Sequence, residues 1–362
     1  MTATQEPSGE ASPVTVPARR GPKRPNIRSI SLDAIGQWCE EKGFPSYRAS
    51  QLAGWFYNRP PCDLADMHNL PAALRAALEE DFDVSRPTTA LMKESEDGTR
   101  KLLVGLADQR VVESVLIPRD LRITLCISSQ VGCALGCGYC ATARLGLVRN
   151  LEPFEIVGQV MMARELAKPE LLTNYVFMGM GEPLANYDRL IQSLQIMTSP
   201  WGLGISPRRI TVSTVGLVPQ LERLVKDSDV NIAISLGSGI DEVRDELMPV
   251  NRRYPLAELI GACHRLELPR RKRITFEYTL LAGVNDDLAA ADAVVKQLRG
   301  LPVKLNLIPF NEWEGSPYRA PEDRRVLDFQ ERVLAAGIHT TVRASRGRDI
   351  QAACGQLAAK GS

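Results

Sequence analysis

The chain has 362 residues, 44% of them apolar and 24% charged, with a formal net charge of +1. That profile suits a globular protein of two or three domains and by itself argues neither for nor against a nucleic-acid partner. Its apolar runs are too short and interrupted to cross a membrane, and its eight cysteines are too dilute for a disulfide-stapled secreted scaffold.

Residues 1–27 are polar and proline-bearing and lack the apolar stretch of a secretory signal, so they read as a disordered tail. Residues 28–92 carry helical spacing. Leu32, Ile35 and Trp38 mark one face, Leu52, Trp55 and Phe56 another, and Pro71 opens a third helix over 72–80. This accessory domain is mildly acidic: over 28–90, six Lys or Arg stand against nine Asp or Glu. Residues 93–121 form a β-rich extension through Leu102, Val104, Val111, Val115 and Ile117.

From 122 to 350 the pattern alternates. Strand-like runs lie near 123–128, 175–178, 210–214, 230–235, 274–280 and 303–308, with helical stretches such as 155–166, 190–198, 257–266 and 289–298 between them. Six β–α alternations predict parallel strands with crossover helices, an α/β fold best matched by an open, partial (β/α)6 barrel. Ligands in such folds bind beyond the carboxyl ends of the strands. Residues 351–362 form a C-terminal segment.

Cys133, Cys137 and Cys140 follow the first strand in the spacing C-x3-C-x2-C. A structural zinc site closes with four ligands, and none of the three histidines, His68, His264 and His339, lies near this loop. A four-iron cluster takes one thiolate per iron, so three cysteines leave one iron open to another ligand. The loop resembles that of the radical S-adenosylmethionine (SAM) enzymes, whose [4Fe-4S] cluster exchanges its fourth position with SAM.

After the second strand comes the run Met178-Gly179-Met180-Gly181-Glu182-Pro183-Leu184. Glycines let the backbone approach a ligand closely, and a carboxylate can accept from an amine. Following strand two, Gly181 and Glu182 resemble the turn that holds the amino group of SAM. Ser213, Ser235 and Asn311 stand at later strand ends as candidate cofactor lining. Cys126 on the first strand and Cys354 near the C-terminus are two further thiols, whereas Cys39, Cys62 and Cys263 read as inert. Basic clusters at 19–24, 208–209, 252–253 and 270–273 are either solvated loops and helix ends or a dispersed surface for phosphates.

The run from Cys126-Ile127-Ser128-Ser129-Gln130-Val131-Gly132-Cys133 through Cys140-Ala141-Thr142-Ala143 resembles the dual-specificity 23S rRNA and tRNA adenine-C2 methyltransferases. So do Val112-Glu113-Ser114-Val115-Leu116-Ile117-Pro118 and Ala353-Cys354-Gly355-Gln356-Leu357, and the likeness spans about 28–358. The family usually reads Ser-Leu-His-Ala after strand four, where this chain has Ser235-Leu236-Gly237-Ser238.

The resemblance implies two SAM molecules per turnover. One methylates Cys354; the other, on the open iron, is cleaved reductively to a radical that takes hydrogen from methyl-Cys354. The resulting carbon radical adds to adenine carbon 2. An electron and a proton are then lost, with Glu113 or Cys126 as the acceptor of the proton alone, and Cys126 attacks the Cys354 sulfur, leaving a transient disulfide. Leu236 and Gly237 join the cofactor contacts. Implied with this are rRNA and tRNA as partners, a reductant such as flavodoxin or ferredoxin, a cytoplasmic location and a monomer. Methylation at adenine carbon 8 on the same framework, and a non-catalytic iron–sulfur RNA-binding protein, are the alternatives.

Overall fold

The computed structural model describes residues 24–59, 63–167, 172–269 and 272–358. Three helices open it: α1 (Leu32–Glu41), α2 (Arg48–Tyr57) and α3 (Ala72–Asp81). They bury the apolar faces expected from the sequence, including Ile35, Leu52, Phe56 and Leu74. Ser31 caps α1, its hydroxyl accepting from the Ala34 N–H. The Trp38 indole donates to Asp81 at 2.7 Å, tying α1 to α3.

The expected tail ends earlier than residue 27. Asn26 bridges Asp83 and Ile27 is fully buried, because Ile27 completes the apolar core of the helical domain. The first 23 residues, and Cys62, lie outside the described residues.

Next come β1 (Thr88–Glu94), β2 (Arg100–Gly105), β3 (Val111–Arg119) and β4 (Arg122–Cys126), paired antiparallel in sequence order. The β-rich extension thus begins before residue 93. It is the near flank of the main sheet, because β3 pairs directly with β4. A short ribbon of β5 (Gln130–Gly132) and β6 (Leu147–Asn150) follows and frames the three-cysteine loop.

The alternation then runs through α4 (Pro153–Leu166), β7 (Leu172–Phe177), α5 (Tyr187–Thr198), β8 (Ile210–Thr214), α6 (Val218–Asp227), β9 (Asn231–Ser235), α7 (Asp241–Leu247) and α8 (Leu256–Arg265). It continues with β10 (Ile274–Leu280), α9 (Leu288–Leu298), β11 (Val303–Pro309), α10 (Asp323–Ala335) and β12 (His339–Val342). The ten-stranded sheet runs β1-β2-β3-β4-β7-β8-β9-β10-β11-β12, parallel from β4 onward.

The parallel part therefore has seven strands among the described residues, one beyond the six expected. The extra strand, β12, is short and mostly exposed, with only Thr340 buried, so it lacks the apolar run that marks the others. The helical domain docks onto the barrel through Ser29, whose hydroxyl accepts from the Phe154 N–H at 3.1 Å, and through a Tyr57–Trp201 ring contact.

Candidate active site

All the chemistry-bearing residues anticipated beyond strand ends gather at the carboxyl edge of the parallel strands. The β5–β6 ribbon holds Cys133, Cys137 and Cys140 on a loop pinned from both sides. Gly138 N–H donates to Leu247 C=O at the end of α7, and Ala141 N–H donates to Gly355 C=O in the C-terminal segment. Thr142 Oγ1 donates to Leu357 C=O at 2.5 Å.

Burial is the largest influence on these thiols: it pushes Cys133 up to about 11 and raises Cys137 and Cys140, and each also feels another cysteine nearby. Among the described residues no three side chains are arranged to grip a single metal ion. A four-iron cluster is a larger body that takes each thiolate on a separate iron. Three thiols near enough to feel one another on one loop fit that donor set, and iron binding would expel their protons.

The Gly-Glu turn forms the next wall. Ser128 Oγ donates to Glu113 C=O at 2.6 Å and accepts from Met180 N–H, while Gln130 Oε1 accepts from Glu182 N–H at 2.8 Å. Gly181 has φ of 97°, and a Cβ there would stand 2.5 Å from Gln130 Cβ. Only glycine meets both demands. Glu182 is buried, its carboxylate accepting from Leu184 N–H and Val215 N–H, both at 3.0 Å. Burial pushes its carboxyl up to about 7, against those donors and Thr214, so a cationic amine placed here would meet a carboxylate poised to ionise.

Ser213 on β8 and Ser235 on β9 are half-buried, and Leu236 is fully buried. Ser235 pairs with Glu277 on β10, which pairs in turn with Asn306 on β11. Glu277 is buried and accepts from Asn306 Nδ2 at 3.0 Å through Oε1, yet its Oε2 has no partner. An orphaned carboxylate oxygen at the level of Ser235 suits a donor on an incoming ligand.

Gly237 has φ of 72°, and a Cβ there would lie 2.5 Å from Met248 Sδ. The glycine that replaces the family histidine thus suits the left-handed backbone and the methionine beside it. Its carbonyl accepts from Asn285 Nδ2 at 2.8 Å. Asn311, expected as cofactor lining, also holds the terminal segment. Its Nδ2 donates to Cys354 C=O at 3.1 Å and its Oδ1 accepts from Arg348 Nε, so it clamps the segment that carries Cys354.

Cys126 and Cys354 line one cavity with Met178, Asn311 and Arg343. Both are free thiols, so the disulfide expected between them is absent from this reduced state. Burial, with the neighbouring Cys354, pushes the Cys126 thiol up to about 12. Glu113 stands behind them, buried, its carboxylate 3.0 Å from Lys101 Nζ and accepting from Ala358 N–H.

Two arginines escaped the sequence reading. Arg244 is fully buried and spans two strand-end loops, donating to Leu236 C=O at 2.8 Å and Val215 C=O at 2.9 Å. Arg343 follows β12 at the cavity. The basic clusters fare unevenly: Arg208, Arg209 and Arg273 are exposed at the amino ends of β8 and β10, opposite the cavity. Arg343 and Arg346 line the cavity itself, and Arg319 and Arg348 line an adjoining open depression.

Comparison with known proteins decides the family. Residues 127–293 match the Radical SAM superfamily, and residues 25–84 match the ribosomal RNA large subunit methyltransferase N-terminal domain. A dual-specificity RNA methyltransferase RlmN of Syntrophobacter fumaroxidans is 48% identical, with 92% of this chain and 98% of that protein covered. The chain belongs to the RlmN family. Another RlmN, from Geobacter sulfurreducens, is also 48% identical, with 92% of each chain covered. A crystal structure of a radical SAM methyltransferase from Sphaerobacter thermophilus superposes with a TM-score of 0.88 at 41% identity, covering 93% of this chain and all of that one. The methyltransferase class and the RlmN framework hold across barrel and helical domain alike.

Proposed function

We propose that this RlmN-family enzyme methylates carbon 2 of an adenosine in the peptidyl transferase centre of 23S rRNA and of the adenosine beside the anticodon in tRNAs, through a methyl group carried on Cys354. The observation that carries this reading is the meeting of Cys354 and Cys126 in one cavity, on a segment bonded directly to the loop of Cys133, Cys137 and Cys140. Membership of a family of dual-specificity RNA methyltransferases supports it, and neither carbon-8 methylation nor a purely binding role draws support from the relatives described.

The three loop thiolates would hold a [4Fe-4S] cluster, and Gly181, Glu182, Ser213, Ser235, Leu236 and Gly237 would hold SAM. When bound, cluster and SAM supply the methyl group and the radical chemistry that an unreactive aromatic carbon demands. Glu182 would take the amine of the amino acid moiety, and Ser213 and Ser235 at the ends of β8 and β9 would line the rest of it. Cys354 carries the methyl group into the cavity, and Asn311 fixes its backbone.

Glu113 serves as the proton acceptor, with its charge balanced by Lys101. Cys126, protonated at rest, would give up its proton and attack the Cys354 sulfur as a thiolate; the S–S bond forms as the sulfur–carbon bond to the base breaks, and the freed methylene carbon takes a proton to become the product's methyl group. The partners are rRNA, tRNA and a one-electron donor of the flavodoxin or ferredoxin kind. No helix among the described residues is long and apolar enough to cross a membrane. The reading is completed by a monomer working in the cytoplasm.

The test is mass spectrometry of nucleosides from RNA incubated anaerobically with reconstituted enzyme, reductant and methyl-labelled SAM. Label in 2-methyladenosine is expected, and label in 8-methyladenosine would overturn the assigned carbon. Cys354→Ala should abolish transfer with the cluster spectrum intact. Cys126→Ala should accumulate a protein–RNA adduct that RNase trims.

A further inference from the structure

Arg343 is the first residue beyond β12, fixed by its backbone N–H on Leu307 C=O at 2.8 Å. Its side chain is half-buried and lines the cavity shared by Cys126, Met178 and Cys354. Among the described residues its side chain makes one hydrogen-bond contact, long and weak, 3.5 Å from Nη1 to Met178 Sδ. Among the described residues no carboxylate lies within 4.0 Å of the guanidinium. The nearby Cys354, and then Glu277 and Cys126, would favour its charged form further wherever they ionise.

A guanidinium held in a cavity with most of its donors uncommitted is arranged for an acceptor that arrives with the substrate. The reacting carbon of adenine lies between two ring nitrogens, N1 and N3, each a bare acceptor. A carbon radical on the Cys354 sulfur is electron-rich, and it adds faster to a ring whose neighbouring nitrogen is drawn upon by a cation. Charge that builds on that nitrogen during addition would meet a donor already in place. Carbon 8 has no such pair of free neighbours, since N9 carries the sugar.

Resting on the function proposed above, we infer that Arg343 is a further catalytic residue that donates to a ring nitrogen beside carbon 2 of the target adenine, orienting that carbon towards Cys354 and activating it. The cationic reach of the cavity then serves recognition of one edge of one base.

The experiment uses reconstituted holoenzyme and three anticodon stem-loop RNAs, with adenosine, 1-deazaadenosine or 3-deazaadenosine at the target. Affinity is read by fluorescence anisotropy and methylation by single turnover, for wild type, Arg343→Gln and Arg343→Lys, with cluster absorbance recorded for each. Wild type should bind the adenosine RNA roughly 10- to 100-fold more tightly than one of the two deaza RNAs, the range expected for a charged hydrogen bond. Arg343→Gln should erase that preference, and Arg343→Lys should keep part of it.

A wild type that distinguishes neither deaza RNA overturns the inference without recourse to any variant. So does an Arg343→Gln enzyme that weakens all three RNAs equally or retains the preference. Should Arg343→Gln lose its cluster, Arg343→Lys decides: a preference kept in part supports the contact, and a preference lost with the charge retained and the cluster intact sinks it. A wild type that leaves the adenosine RNA unmethylated instead refutes the functional reading.

Discussion

Glu113 accepts the backbone N–H of Ala358 at 3.0 Å, so the carboxylate assigned to proton transfer also fastens the segment that presents Cys354. The same carboxylate pairs with Lys101 at 3.0 Å on the adjacent strand. Glu113→Gln keeps an acceptor for Ala358 but removes both base and ion pair. It should form methyl-Cys354 yet fail to release methylated RNA. Glu113→Ala should in addition speed hydrogen exchange at 354–358, measured by mass spectrometry. Equal exchange in the two variants would show that the bond to Ala358 contributes nothing.

Gly237→His restores the residue usual in the family at a backbone position with φ of 72° and a methionine sulfur 2.5 Å from the new Cβ. It should cost about 1–3 kcal/mol, seen as a lower midpoint in urea. Because the clashing atom is the sulfur of a flexible side chain, adding Met248→Ala should relieve the steric part but not the strain of the left-handed backbone. A stability unchanged by Gly237→His would mean that the loop adapts freely.

Arg244→Gln should loosen two cofactor loops at once. Each carbonyl it leaves without a donor, at Leu236 and Val215, costs about 1–3 kcal/mol. Isothermal titration of the reconstituted protein should register weaker SAM binding together with the lower stability. Reduced stability with SAM affinity intact would confine Arg244 to a structural role.

Cys126 carries a pH signature. Its thiol is held up to about 12 in the folded chain, against an ordinary 9.0, so it stays protonated where an unfolded cysteine would ionise. Between about pH 9 and 12 the unfolded state binds fewer protons, and stability falls as pH rises through that window. Below 9 the contribution is fully present. Iodoacetamide should therefore label Cys126 slowly in the native protein at pH 9, and Cys126→Ser should flatten the stability loss above pH 9. Rapid labelling at pH 8 would contradict the burial.

Much of this was legible in the chain because local spacing encodes it. Three cysteines within eight residues, a glycine-flanked glutamate after a strand and a cysteine near the terminus are all short-range signals. The six apolar strands announced themselves by short runs rich in apolar residues, several of them alternating with polar ones. β12 did not, since a half-exposed edge strand has no need of them. Arg343, Arg244 and Glu277 were invisible for a related reason: an arginine or glutamate in sequence reads as surface, and only packing turns it inward. Of the two readings of the basic clusters, position in the fold favours the solvated one at 208–209 and at Arg273. Strand polarity sends Arg208, Arg209 and Arg273 to the far end of the barrel, a fact that charge counting does not contain.

The pin from Thr142 to Leu357 joins residues 215 positions apart. The loop of the three cysteines is therefore completed by a contact from residues near 357, so a chain cut before Cys354 would lose both that thiol and one side of the loop's support.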